Sequence, residues 1–108
     1  MRKQELTDNS GRWFDIESAK IYTEAIIMAS PSSCTGVSRA TGNSWEHETL
    51  YLTMHGAFIM HFFDEHNPTL SQFIEWDVNT AVKWLLSNGH GGEVRKLELQ
   101  NEEKQFEI

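Results

Sequence analysis

Glu46-His47-Glu48-Thr49-Leu50-Tyr51-Leu52-Thr53-Met54-His55-Gly56-Ala57-Phe58-Ile59-Met60-His61-Phe62-Phe63 decides the fold. Two β-rich runs flank a short turn at Met54-His55-Gly56, which is the pattern of a β-hairpin. The apolar pattern selects its register, because a slip of one residue sends every side chain to the opposite face. With a three-residue loop and Gly56 in the left-handed region, Leu52 pairs with Phe58 and Leu50 with Met60, and Phe62 extends the same apolar face. The other face then carries His47, Thr49, Tyr51, Ile59, His61 and Phe63. A two-residue loop at His55-Gly56 would set His61 against Leu50, so the first register is preferred.

Working outward, Asp64-Glu65-His66-Asn67-Pro68 is a turn, and Phe73-Ile74-Glu75-Trp76 reads as a short strand. Asp77 is an N-cap for a helix over 78–88, in which Val78, Ala81, Val82 and Leu85 recur at helical spacing and Asn88-Gly89 supplies the stop. Gly91-Gly92 loosens the chain, and 94–108 reads as a strand pair turning at Asn101-Glu102 in preference to a weak amphipathic helix. Upstream, 1–10 is polar and turn-rich and is expected to be loose. Asp15 is an N-cap for a short helical turn over 16–20, and 21–29 suits a strand. Ser30-Pro31-Ser32-Ser33 breaks that strand, and the Ser-, Thr- and Gly-rich segment to Ser44 reads as a long surface loop. The expected architecture is a single α+β domain over 1–108: a small antiparallel sheet around the hairpin 46–63, with the helix 78–88 packed on one face and both chain ends loose.

The net charge of −7 is unevenly placed. Acids and bases balance up to Arg39. From Ala40 to Val82 there is no Lys or Arg, while Glu46, Glu48, Asp64, Glu65, Glu75 and Asp77 are all acidic. Such a segment repels phosphate, which argues against direct nucleic-acid binding and favours a basic protein surface as partner. The competing reading of the charge is plain solubility. The single cysteine, Cys34, excludes an internal disulfide framework and suits a reducing compartment. The start lacks the apolar run of a signal peptide and no stretch is long enough to span a bilayer, so the expectation is a cytoplasmic protein without membrane contact.

Five histidines invite a metal or acid–base reading. His61, Asp64 and His66 are close in sequence, but a strand end and a turn do not give the one-turn helical spacing of a zincin. Exposed strand and loop histidines explain them better, and His90 beside glycine reads as exposed. In Glu46-His47-Glu48, strand alternation sends both carboxylates to the face opposite His47, which weakens a general acid–base role beside His61 and Tyr51. Glu48 would then face the apolar side near Phe62, at the sheet rim. Cys34 lacks an identifiable base or oxyanion donor, and Gly36 and Gly42 do not form a phosphate loop. No cofactor and no metal is expected. Of the four tryptophans, Trp76 suits the core, Trp84 lies off the main stripe of its helix, and Trp45, in a polar loop, suits contact with a partner.

Ala40-Thr41-Gly42-Asn43-Ser44-Trp45-Glu46-His47-Glu48-Thr49-Leu50-Tyr51-Leu52-Thr53 resembles the central signature of a family of small bacterial proteins found with phages and plasmids. The likeness extends from Gly11-Arg12-Trp13-Phe14-Asp15 to Trp84-Leu85-Leu86-Ser87-Asn88-Gly89. That pattern usually carries a lysine or arginine after the Leu-Tyr pair and in the hairpin turn, where Leu52, Met54 and His55 stand here, and the departure deepens the acidic middle. The resemblance carries over no activity. Joined to small size and acidity, it leads to the first functional expectation: a non-enzymatic, anti-CRISPR-like inhibitor that covers the basic nucleic-acid channel of a bacterial defence nuclease. Glu46, Glu48, Asp64, Glu65, Glu75 and Asp77 would occupy phosphate positions there, with Trp45 as an apolar anchor. The alternatives are a small His/carboxylate metal-dependent or acid–base enzyme using His47, His61 and His66, and a regulatory or scaffold protein that forms a homodimer through a strand edge or a tryptophan patch.

Overall fold

The computed structural model describes residues 1–28 and 36–108, and strands fill its first two thirds. In chain order they are β1 (Lys3–Glu5), β2 (Trp13–Asp15), β3 (Lys20–Thr23), β4 (Ile26–Met28), β5 (Gly36–Ser38), β6 (Glu46–Leu52), β7 (Phe58–Asp64) and β8 (Gln72–Trp76). The helices α1 (Val78–Ser87), α2 (Gly91–Lys96) and α3 (Gln100–Glu103) follow. The break at Ser30-Pro31-Ser32-Ser33 and the thiol of Cys34 lie outside the described residues.

The β6–β7 hairpin has the register that its apolar alternation requires. Leu52 pairs with Phe58, Leu50 with Met60 and Glu48 with Phe62. The Thr53 N–H donates to the Ala57 carbonyl at 2.8 Å, and Gly56, at φ 88°, makes the left-handed turn that other residues resist. The central sheet runs β3-β6-β7-β8, antiparallel throughout.

α1 covers the even-numbered face of the hairpin. Its start is fixed by the Asp77 carboxylate, which accepts from the Thr80 N–H at 2.7 Å. At its end, Asn88 is followed by Gly89 at φ 82°. Ala81, Val82, Trp84 and Leu85 of the helix meet Tyr22, Leu50, Phe58 and Met60 of the sheet. Leu50, Met60, Val82 and Leu85 are fully buried, each burial being worth about 1.5–3 kcal/mol.

The opposite face is covered too, by the N-terminal segment expected to be loose. β1 and β2 pair antiparallel and set Leu6, Phe14 and Ile16 against Ile59 and Phe73, with Tyr51 alongside. The polar start is therefore ordered from Lys3: its exposed residues carry the pairing while Leu6, just past the strand, carries the burial. Thr7 then reaches the edge strand β8. Its N–H and hydroxyl reach the Phe73 carbonyl at 2.9 and 3.2 Å, and the Phe73 N–H donates back to the hydroxyl at 3.0 Å. β3 forms the other edge of the sheet, where Ile21 is exposed and the Thr23 carbonyl accepts from His90 Nε2 at 2.7 Å.

Several other expectations are corrected. Residues 16–19 form a turn rather than the helical segment expected over 16–20, because the Asp15 carboxylate accepts from the Glu17 N–H and the chain enters β3 at Lys20. The strand expected over 21–29 is broken at Glu24-Ala25, so that β3 joins the central sheet and β4 pairs with β5. The segment read as one long loop thus contributes a strand. The pair of strands expected over 94–108 is replaced by α2, α3 and a terminal 3₁₀ turn. Val94 is fully buried against α1, while Glu98, at φ 58°, separates two helices where Leu97-Glu98-Leu99 suggested strand alternation. No helix among the described residues is long and apolar enough to cross a membrane.

Candidate functional site

The antiparallel register gathers the acidic residues at the open end of the hairpin, away from the Met54-His55-Gly56 turn. Glu46 lies opposite Asp64, and Glu48 follows one strand repeat further along β6 on the same face. These three carboxylates line an open cleft of about 500 Å³, with Phe62 and Leu70 as its apolar surfaces. Glu46 is exposed, and its backbone is fixed by an Asn43 carboxamide accepting its N–H at 2.7 Å and by the Thr41 hydroxyl donating to its carbonyl at 2.7 Å. The Asp64 carboxylate accepts from the His66 N–H at 2.8 Å, which shapes the turn after β7. No ion pair among the described residues involves Glu46, Glu48 or Asp64. A neighbouring cleft joins Glu48 to Arg39 and Lys83, so the acidic surface has a cationic border on the helix side.

Glu48 is drawn further into the protein than a rim position implies. Its carboxylate is half-buried and accepts from the Trp84 indole N–H at 2.9 Å. Burial raises its pKa, the indole bond opposes that rise, and the nearby Glu24 adds to it. Trp84, off the main stripe by spacing alone, is buried at 6% exposure because this bond satisfies its one polar atom. Trp76 packs at the core margin, whereas Trp45 is 41% exposed with its ring 6.0 Å from that of His66.

His47, on the reverse face, is held by two carboxylates that are not its sequence neighbours. Nδ1 meets Glu24 at 2.5 Å and Nε2 meets Glu65 at 2.8 Å, while the ring stacks on Phe63 at 5.0 Å. Glu24 is only 7% exposed and also accepts from the Ser38 hydroxyl at 2.6 Å and the Glu48 N–H at 2.8 Å. Burial alone would lower the His47 pKa, but the bonds and charges of Glu24 and Glu65 outweigh it and the net direction is upward. Glu24 was missed by sequence reasoning: it lies a full strand crossing away from His47, and only the pairing of β3 with β6 brings it near.

Five of the seven residues expected to meet a partner, Trp45, Glu46, Glu48, Asp64 and Glu65, therefore gather at one end of the molecule, although Glu65 is turned onto His47. Glu75 and Asp77 do not join them. β8 runs back along β7, which places Glu75 opposite Ile59 near the other end, where it pairs with Arg12. Asp77 is spent on the α1 cap.

The remaining histidines do not converge. His61 stacks on Phe73 at 4.0 Å with Nε2 bonded to Ser71 at 2.7 Å, and burial lowers its pKa. His90, expected to be exposed, is partly covered and stacks against Trp84 at 6.0 Å. Among the described residues no group of three or more His, Cys, Asp or Glu side chains is placed to hold a metal ion. No family model, curated protein or solved structure matches this chain.

Proposed function

We propose that this is a non-enzymatic binding protein whose acidic cleft receives a basic protein surface. One observation carries the reading: Glu46, Glu48 and Asp64 share one open cleft with Phe62 and Leu70, and no cation of the described chain pairs with them. Carboxylates beside apolar surface suit the aliphatic stem and charged head of lysine or arginine. Exposed Trp45 next to the cleft supplies an anchor of the kind that dominates contact energies. The partner best suited to such a surface is a protein channel built for nucleic acid, and the resemblance of the 40–53 segment to proteins of phages and plasmids makes a bacterial defence nuclease the specific proposal. In this role the protein acts as an anti-CRISPR-like inhibitor, with carboxylates standing where phosphates would lie.

The test is capture of purified Cas nuclease complexes at low and moderate salt, with displacement of their nucleic acid as readout. The wild-type chain is expected to bind and displace, and the double variant Glu46→Lys/Asp64→Lys to bind at least about tenfold more weakly. Failure to recover any complex, or equal binding by the charge-reversed variant, overturns the proposal.

A further inference from the structure

At the turn end of the hairpin, on the sheet face opposite the acidic cleft, the N-terminal layer does not close fully over the β6–β7 turn. A cavity of about 380 Å³ remains between them, within the size range of small-molecule sites. Its floor is the buried trio Leu6, Phe14 and Ile59. Three large apolar side chains line it and stay exposed: Met1 at 82%, Trp13 at 46% and Met54 at 68%. An exposed tryptophan and methionine beside a buried apolar floor form one continuous surface, and isolated surface apolar residues do not.

Arg12 makes the polar wall together with Asp15, Thr53, His55 and Glu75. Its guanidinium, on a side chain 56% exposed, lies between Asp8, at 3.2 Å, and Glu75, so its charge is already answered and its plane is oriented by both. A guanidinium oriented in this way stacks on flat rings, and Trp13 offers a second flat surface. Lys3 approaches the Trp13 ring, its Nζ 5.4 Å from the ring centroid. A carboxylate-bearing ligand would compete with Glu75 and Asp8 for Arg12, and a cation would meet only Glu75, already paired with Arg12, and Asp15, whose carboxylate already accepts the Arg2 and Glu17 N–H groups. An uncharged ring system avoids both costs.

We infer that this cavity is a binding site for a small, uncharged, planar aromatic molecule, seated on Leu6, Phe14 and Ile59 between Trp13 and the Arg12 guanidinium. It is independent of the acidic cleft and stands or falls separately from it.

The probe is 2-naphthol, titrated into the ¹⁵N-labelled protein and followed by amide and indole N–H shifts. Saturable shifts are expected, confined to the Trp13 indole N–H and the backbone around Phe14 and residues 53–59. The variant Ala57→Phe, which fills the cavity from its wall, should weaken binding at least about tenfold. Should that variant unfold, Trp13→Ala provides the same comparison from the exposed rim. Shifts that rise linearly without saturation, shifts scattered over the surface, or unchanged affinity in a folded variant overturn the inference.

Discussion

His47 and His61 lie on the same sheet face, but their surroundings push their titrations apart. The carboxylates of Glu24 and Glu65 favour the imidazolium of His47 over its burial, while burial alone disfavours that of His61. Proton-linked stability follows with opposite signs. The raised His47 value gives stability that is complete below its unfolded value, near 6.5, and is lost as pH climbs through the folded value. The depressed His61 value gives stability present above 6.5 and lost as pH falls through the folded value. Imidazole NMR titration should place His47 above and His61 below the ordinary histidine value. In denaturant melts, the difference between wild type and His47→Gln should shrink as pH rises through the His47 titration. A His47 that titrates below His61 removes the carboxylate clamp from the account. The clamp also shows where sequence reading stops: the flanking Glu46 and Glu48 were correctly sent away from His47 by strand alternation, but its true partners come from a corner and a turn. No local periodicity marks such a meeting, since it depends on which strands pair.

The elements that were legible are those whose signals are local and agree. In the β6–β7 hairpin, apolar alternation and a glycine turn specify one register, and in α1 an N-cap, a helical stripe and Asn88-Gly89 specify one span. Asp77→Ala should cost about 1 kcal/mol in urea unfolding, because the Thr80 N–H loses its acceptor at the helix start. Capture of the proposed basic partner should be unchanged by that substitution, since Asp77 faces the cap and lies outside the cleft. Loss of capture without loss of stability would return Asp77 to the binding surface. The elements that were not legible are short or locally ambiguous. β1 is three polar residues that gain order only through β2 and through Leu6 beneath them. The 94–108 segment alternates like a strand at Leu97-Glu98-Leu99, but Val94 is claimed by α1 and Glu98 turns the chain between helices. Tertiary burial decided both.

Across the whole molecule, one four-stranded sheet separates two apolar clusters, and each strand of the hairpin contributes to both. Loss of either cluster should therefore unfold the other. Leu50→Ala, on the helix side, is expected to cost about 2–5 kcal/mol, and Phe14→Ala, beneath the N-terminal layer, about 3–5 kcal/mol. Tryptophan fluorescence and far-ultraviolet circular dichroism should report a single coincident transition in each variant. Separate transitions in Phe14→Ala would mean that the N-terminal layer melts by itself. The same two-sided sheet keeps the proposed sites apart, with the carboxylates at the open end of the hairpin on the helix side and the aromatic cavity at the turn end on the other.

The contrast between the two borders of that sheet limits how copies of the chain can assemble. Thr7 stitches the β8 border through backbone bonds at Phe73, whereas on the β3 border the Thr23 carbonyl accepts from the His90 side chain and Ile21 is exposed. A strand donated to the four-stranded sheet by a second molecule must therefore displace backbone bonds at the β8 border or the His90 side chain at the β3 border, and the side-chain bond is the easier to exchange.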